Sequence, residues 1–235
     1  MKGFCAAIVL KQINYGDTSV IISCFTKEYG LKSFIYKGGK KKNKAVLFPL
    51  RLVEINYYQY NEDALASVNT IQAAMTLPNL YQNPIKTSVI FFISEFLNQL
   101  LNKIQYAEAN LFEEIKQELI WLNETDELAK YPIFWLIKWI EKLGLTPTVT
   151  EKAPCFDIES AKFSDENFSG RHYFSGEEMQ KLAYLFTQDR LTILSYPLNK
   201  NERNIIFDAL VAYCLFHIPE FKQFKSVEVL KTVLK

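Results

Sequence analysis

A change of hydrophobic period at Leu77-Pro78 constrains this chain more than any other feature: large residues recur at alternate positions before it and at every third or fourth position after it. Side chains alternate across a strand but return to one face of a helix after 3.6 residues, so the switch separates a β part from an α part. Residues 1–78 read as five short strands. Residues 6–11 and 19–26 are apolar, β-branched runs separated by the turn formers Asn14-Tyr15-Gly16-Asp17. Lys27-Glu28-Tyr29-Gly30 marks a second turn. In residues 31–37, Leu31, Ser33, Ile35 and Lys37 alternate with Lys32, Phe34 and Tyr36, and large residues on both sides suit a strand that uses both faces. Residues 49–59 and 64–71 supply two more strands across Asn61-Glu62-Asp63. Five short strands in so small a segment fit a closed barrel such as an OB-fold, which leaves no exposed edge.

Residues 79–235 read as helices. Pro84 sits where a helix starts, and Val89, Phe92, Ile93, Phe96, Leu97, Leu100 and Leu101 form one apolar stripe behind it. Residues 110–123 and 133–143 are two further helices, the latter ended by Gly144 and closed off by Pro147. Residues 176–187, 202–217 and 227–234 complete the set. Between 144 and 175 the pattern is irregular, with a short hairpin expected around residues 156–158 and 161–163. The expected fold class is therefore α+β: a five-stranded OB-fold barrel over residues 1–78, then an all-helical C-terminal domain over 79–235 with an irregular insert at about 144–175.

The charge is divided along the same line. Residues 1–80 carry ten Lys and Arg against five Asp and Glu, near +5, whereas the remainder is near −4, although the whole chain is only +1. Lys32, Lys37, Lys40, Lys41, Lys42, Lys44 and Arg51 lie within twenty residues that hold no acid. Cations so spaced on and beside a loop can track a phosphate backbone and gain affinity by releasing counterions. Phe34, Tyr36, Phe48, Tyr57, Tyr58 and Tyr60 are interleaved with the cluster or follow it, and aromatic faces stack bases of any sequence for roughly 1–3 kcal/mol each. Tyr36 and Tyr58 are the expected platforms. The same residues have a plainer reading, in which the lysines solubilise a turn and the aromatics fill a core.

Chemistry-bearing motifs are few. The two histidines, His172 and His217, have no His, Cys or carboxylate at ligand spacing. There is no GxxxxGK[ST] and no GxGxxG, and Gly38-Gly39-Lys40 has neither the glycine spacing nor the following helix of a phosphate loop. Glu113-Glu114, Asp126-Glu127 and Glu177-Glu178 suit polar faces and helix starts. The expectation is a protein that is not an enzyme and takes no cofactor or metal. Cys5, Cys24, Cys155 and Cys214 contain no CxxC pair, and reduced thiols are expected. The apolar run at the N-terminus is too short for a secretory signal, and residues 88–101 are too short and polar to span a bilayer. A cytoplasmic location without membrane contact is the simplest reading.

The runs Ala7-Ile8-Val9-Leu10-Lys11, Tyr15-Gly16-Asp17-Thr18-Ser19, Phe25-Thr26-Lys27-Glu28-Tyr29-Gly30-Leu31 and Lys37-Gly38 followed by lysines resemble the N-terminal domain of RecO recombination mediators. Leu143-Gly144-Leu145-Thr146-Pro147, Phe156-Asp157 with Phe163, and the ending Lys225-Ser226-Val227-Glu228-Val229-Leu230 agree more loosely with the rest of that family. The resemblance implies a recombination mediator in DNA repair that binds single- and double-stranded DNA, anneals complementary strands and, with RecR, loads RecA onto DNA covered by single-stranded-DNA-binding protein. Many members carry a four-cysteine zinc site after the Gly-Leu-x-Pro motif. Here that segment holds only Cys155, so packing around Phe156, Ile158 and Phe163 is expected in its place. The resemblance also implies contact between the helical domain and the acidic, Phe-ended tail of single-stranded-DNA-binding protein, for which Lys200 and Arg203 are candidates. An adaptor remains the alternative, with a partner-recruiting helical domain and a barrel that does not touch DNA.

Overall fold

The computed structural model describes residues 1–41, 44–61, 64–103, 108–150, 153–165 and 172–234. They form two compact units, one from residues 1–126 with 224–230 and one from residues 127–223 with 231–235. Compactness therefore groups the first helices with the strands.

The first unit contains β1 (Lys2–Tyr15), β2 (Ser19–Thr26), β3 (Gly30–Tyr36), β4 (Leu52–Tyr58) and β5 (Ala66–Ala73). They close into a barrel in the order β1-β2-β3-β5-β4, with β4 returning to β1, the OB-fold arrangement. Every pair is antiparallel except β3 with β5, which meet in parallel over only Phe34↔Ala66 and Ile35↔Ser67. Cys5, Ala7, Val9, Ile22, Cys24, Phe34, Val53, Ile55 and Tyr57 point inward and fill the barrel. β1 is longer than its apolar run because both of its ends find partners, β4 for residues 2–8 and β2 for residues 7–15.

Three helices follow in this unit: α1 (Pro78–Gln82), α2 (Pro84–Leu100) and α3 (Ala109–Glu124). Asn83 caps α2 by accepting from the backbone N–H of Ile85 and Lys86, with Pro84 supplying the preset φ of the first turn. A bulge between Val9 and Lys11 interrupts the β1 ladder, and beside it the Ser94 hydroxyl of α2 donates to the Leu10 carbonyl. Phe25, on the outer side of β2, is buried against Phe112 of α3 with ring centroids 6.2 Å apart. Residues 224–230 complete this unit. Phe224 packs against Phe92 and Phe96, while the Glu95 carboxylate accepts from Lys225 N, Ser226 N and Ser226 Oγ at 2.7–3.0 Å.

The second unit holds α4 (Tyr131–Lys142), α5 (Glu177–Leu185), α6 (Arg190–Ser195) and α7 (Lys200–His217), and the chain ends in α8 (Val227–Val233). Where the irregular insert was expected, β6 (Cys155–Asp157), β7 (Lys162–Ser164) and β8 (Tyr173–Ser175) form a small antiparallel sheet in the order β7-β6-β8. The expected hairpin is the β6–β7 pair. Phe156 and Phe163 stack at 4.3 Å and 11° and are fully buried together with Ile158. Phe156 also packs on Tyr213 of α7.

Candidate nucleic-acid interface

The basic turn is held against one end of the barrel by its glycines. Gly38 has a φ of +75°, in the left-handed region that glycine enters without cost. A Cβ on Gly39 would stand 2.6 Å from Val20 Cγ2 and 2.8 Å from Tyr36 Cδ1, so only glycine lets the turn lie flat there. The turn is then tied to the β1–β2 loop: Lys40 N donates to Thr18 O at 3.1 Å and Lys40 Nζ to Gly16 O at 2.6 Å. The Gly-Gly-Lys sequence is thus a packing device. Lys37, Lys41 and Lys44 are exposed around it, Lys40 is half-buried, and Lys42 lies outside the described residues.

The other predicted residues divide by strand parity. Lys32 pairs with the inward-facing Cys24, which puts it on the inner side of β3 with Phe34 and Tyr36. Its Nζ lies 4.5 Å from the Tyr57 ring centroid and 4.8 Å from that of Tyr29, and donates to Gln59 Oε1 at 2.9 Å. Gln59 in turn donates to Ala64 O at 2.9 Å. Burial holds the Lys32 pKa below the ordinary lysine value. Lys32 is a strut between β3 and the β4–β5 connection. Tyr36 is only 8 % exposed and belongs to the barrel core, so its ring offers no face to a base and the expected stacking role does not fit its position. The Arg51 guanidinium stacks 3.6 Å from the Tyr81 ring, and Arg51 Nε is buried without a hydrogen-bond partner. Burial pushes the Tyr81 hydroxyl up to about 12, against the pull of Arg51. Tyr58 faces outward and is 45 % exposed.

The outer face holds residues that sequence reasoning passed over. The pairings Ile13↔Ile21, Ile21↔Ile35, Ile35↔Ser67 and Ser67↔Tyr58 set one lateral row across all five strands, and Lys2 pairs with Tyr58 at its end. At about 4.8 Å per strand the row from Ile13 to Tyr58 runs roughly 19 Å. Ile13 is 53 % exposed, and Tyr15 beside it is equally open. The adjoining row, Lys11, Ser23 and Ser33, is small or cationic. On the outer side of β2, α3 covers Phe25, while Ile13 and Tyr15 stay exposed toward the end where Lys40 is tied down. A signal for this face was present in residues 31–37, where large residues alternate on both sides.

In the second unit, Lys200 opens α7 and is exposed, while Arg203 Nη1 donates to Leu198 O at 3.3 Å. Lys130, just before α4, has its pKa lowered by burial and by the neighbouring Arg203 cation, with Glu127 opposing. All four cysteines are free and buried, and burial pushes the Cys5 and Cys214 thiols up to about 12, which makes them poor nucleophiles and ligands. Among the described residues no His, Cys, Asp and Glu cluster could hold a metal ion, and no helix is long and apolar enough to cross a membrane.

Comparison with known proteins agrees over nearly the whole chain. Residues 1–76 match the family model for the recombination protein O N terminal and residues 81–227 that for the recombination protein O C terminal. A DNA repair protein RecO from Flavobacterium psychrophilum is 28 % identical over 233 residues, covering 97 % of both chains. The protein of the same name from Azobacteroides pseudotrichonymphae is 26 % identical with the same coverage. That from Phocaeicola vulgatus is 28 % identical over 95 % of both chains.

Proposed function

Because the chain belongs to the recombination protein O family, we propose that it is a non-enzymatic DNA-binding mediator of DNA repair. It binds single- and double-stranded DNA, promotes annealing of complementary strands and, with RecR, assists RecA loading onto strands covered by single-stranded-DNA-binding protein. The observation that carries this reading is the outer row of the barrel ending beside an exposed basic turn. Lys37, Lys40, Lys41 and Lys44 neutralise phosphates, while Ile13, Ile21, Ile35, Tyr15 and Tyr58 offer bases an apolar surface. Charge neutralisation lowers the repulsion between two strands, which is what annealing requires. Lys32 and Arg51 support the site from beneath, the one through Gln59 and the other through Tyr81.

Anisotropy of a labelled mixed-sequence single strand over a salt series tests the reading. Four neutralised phosphates give a log K against log salt slope near −3, from about 0.7 per phosphate on single strands. Lys37→Glu, Lys41→Glu and Lys44→Glu together should weaken binding and flatten the slope. Absence of binding at low salt would overturn the reading.

In the second unit, α4 packs against both α6 and α7, which brings Lys130, Arg190 and Arg203 onto neighbouring elements. Leu191, on the same α6, is 73 % exposed. Cations beside an open apolar residue support an adaptor role for this unit, in which Lys200 and Arg203 meet the acidic tail of single-stranded-DNA-binding protein.

A further inference from the structure

Phe91 of α2 leaves 45 % of its surface in solvent, although Ile90 and Phe92 on either side of it in sequence are fully buried. It does not stand alone. Its ring meets Phe48 edge-on at 5.5 Å, Phe48 meets Tyr81 edge-on at 5.7 Å, and Tyr81 carries Arg51 on its face. This column runs from a half-buried cation to an open phenyl ring. Its base is rigid. Leu50 N donates to Val9 O at 2.6 Å, Val9 N to Arg51 O at 3.0 Å and Arg51 N to Phe48 O at 3.2 Å. Leu50 itself is fully buried with a φ of +58°, a conformation a leucine keeps only where its surroundings fix it.

The chain that delivers Phe48 to this column is the basic segment. A 3-10 turn over Lys44–Leu47 inserts Leu47 into the barrel core and leaves Lys44 exposed, and Phe48 follows at once. No acid occurs between Lys32 and Arg51. The sole acid of α2, Glu95, is bound to the backbone of residues 225 and 226. The cationic segment therefore runs into the ring that Phe91 touches, Phe48 following Lys44 by four residues.

We propose that Phe91, backed by Phe48, is a stacking platform for an unpaired base of single-stranded DNA, with the adjoining phosphates on Lys44 and Lys41. The proposal rests on the DNA-binding reading above and extends the strand's path beyond the barrel onto α2. A flat apolar ring reached through the end of a basic segment matches a chain that alternates flat bases with phosphates. Bases in a duplex are already stacked on each other, so the platform selects single strands.

The test uses the full chain and a mixed-sequence single strand carrying one 2-aminopurine, whose fluorescence falls when it stacks. Phe91→Ala should lower single-strand affinity by roughly 5- to 150-fold at fixed salt, the range that corresponds to the loss of one base–aromatic stack. The salt slope and the affinity for a duplex of the same sequence should stay as in wild type, since no cation is lost. Phe91→Leu, which keeps an apolar side chain but removes the ring, should behave like Phe91→Ala, and Phe91→Trp should keep wild-type affinity and quenching. Single-strand binding by Phe91→Ala within twofold of a wild type that binds would overturn the platform while leaving the DNA-binding reading intact. A wild type that does not bind at all would overturn both.

Discussion

Lys32 and Lys37 are five residues apart in one basic run, and composition treats them alike. The pleat separates them. Lys32 shares the inner side of β3 with Phe34 and lies over two tyrosine rings, while Lys37 stays exposed. Their substitutions should therefore differ in kind. Lys32→Ala should cost about 1 kcal/mol of stability, through a lost cation–π contact and a lost hydrogen bond to Gln59. It should leave the salt slope of DNA binding unchanged. Lys37→Ala should leave stability within about 0.5 kcal/mol and flatten the slope by about 0.7. Denaturant melts and salt titrations of the two variants check the pair. A slope change for Lys32→Ala equal to that of Lys37→Ala would make Lys32 a phosphate contact after all.

Elements in both units are fastened by carboxylates held in their charged form. Glu113 of α3 accepts from Lys27 at 2.7 Å, beside the β2–β3 turn, and Lys116 adds a second bond. Those hydrogen bonds, Lys27 first, hold its carboxyl below the usual range. Glu202 closes a capping box with Asn199 on α7 and pairs with Lys181 of α5, whose hydrogen bond is the largest cause of its lowered pKa. Asp189 caps α6 and is lowered by the side chain and backbone N–H of Thr192. A group whose folded-state pKa is depressed stabilises fully above its unfolded value, about 4.3 for Glu and 3.9 for Asp, and that contribution is lost as pH falls through the folded value. Glu141, raised by burial, works in the opposite direction but has one vote against three. Thermal midpoints should therefore be flat from pH 7 to about 5 and fall below about 4. Glu113→Gln and Glu202→Gln should each have a lower midpoint at pH 7 and a shallower acid decline. An acid decline as steep in both variants as in wild type would place the loss elsewhere. The elements themselves were largely legible. β2, α2, α3, α4 and α7 follow directly from periodicity, prolines and caps. α6 and β8 were not, because six or three residues give too few periods to count. The full length of β1 was hidden because its exposed outer half earns its hydrogen bonds from β2 rather than from any apolar run of its own.

At the scale of the whole molecule, compactness does not follow chain order. Residues 224–230 belong with the barrel unit although nearly one hundred residues of the other unit separate them from residue 126. Nothing in the local sequence near Phe224 announces this, because the aromatic partners Phe92 and Phe96 lie more than one hundred positions away. The site was half legible for a related reason. Lysine density reports a cationic loop from composition alone, but the outer row from Ile13 to Tyr58 exists only once five strands are in register. Phe91 lies off the apolar stripe of α2 in the sequence, but only packing sets its open ring against Phe48. The weakest joint of the barrel lies on that same row, where β3 and β5 share just two parallel pairs and Ile35 meets Ser67. A cylinder with one short seam can breathe there while its antiparallel ladders stay shut. Deuterium should enter the amides of Ala66 and Ser67 sooner than those of Ile22 or Ile55, and a DNA strand lying across the row would act as a clasp, slowing that entry in proportion to its occupancy. Equal exchange at the seam and in the ladders would mean that the Lys32 strut alone already closes it.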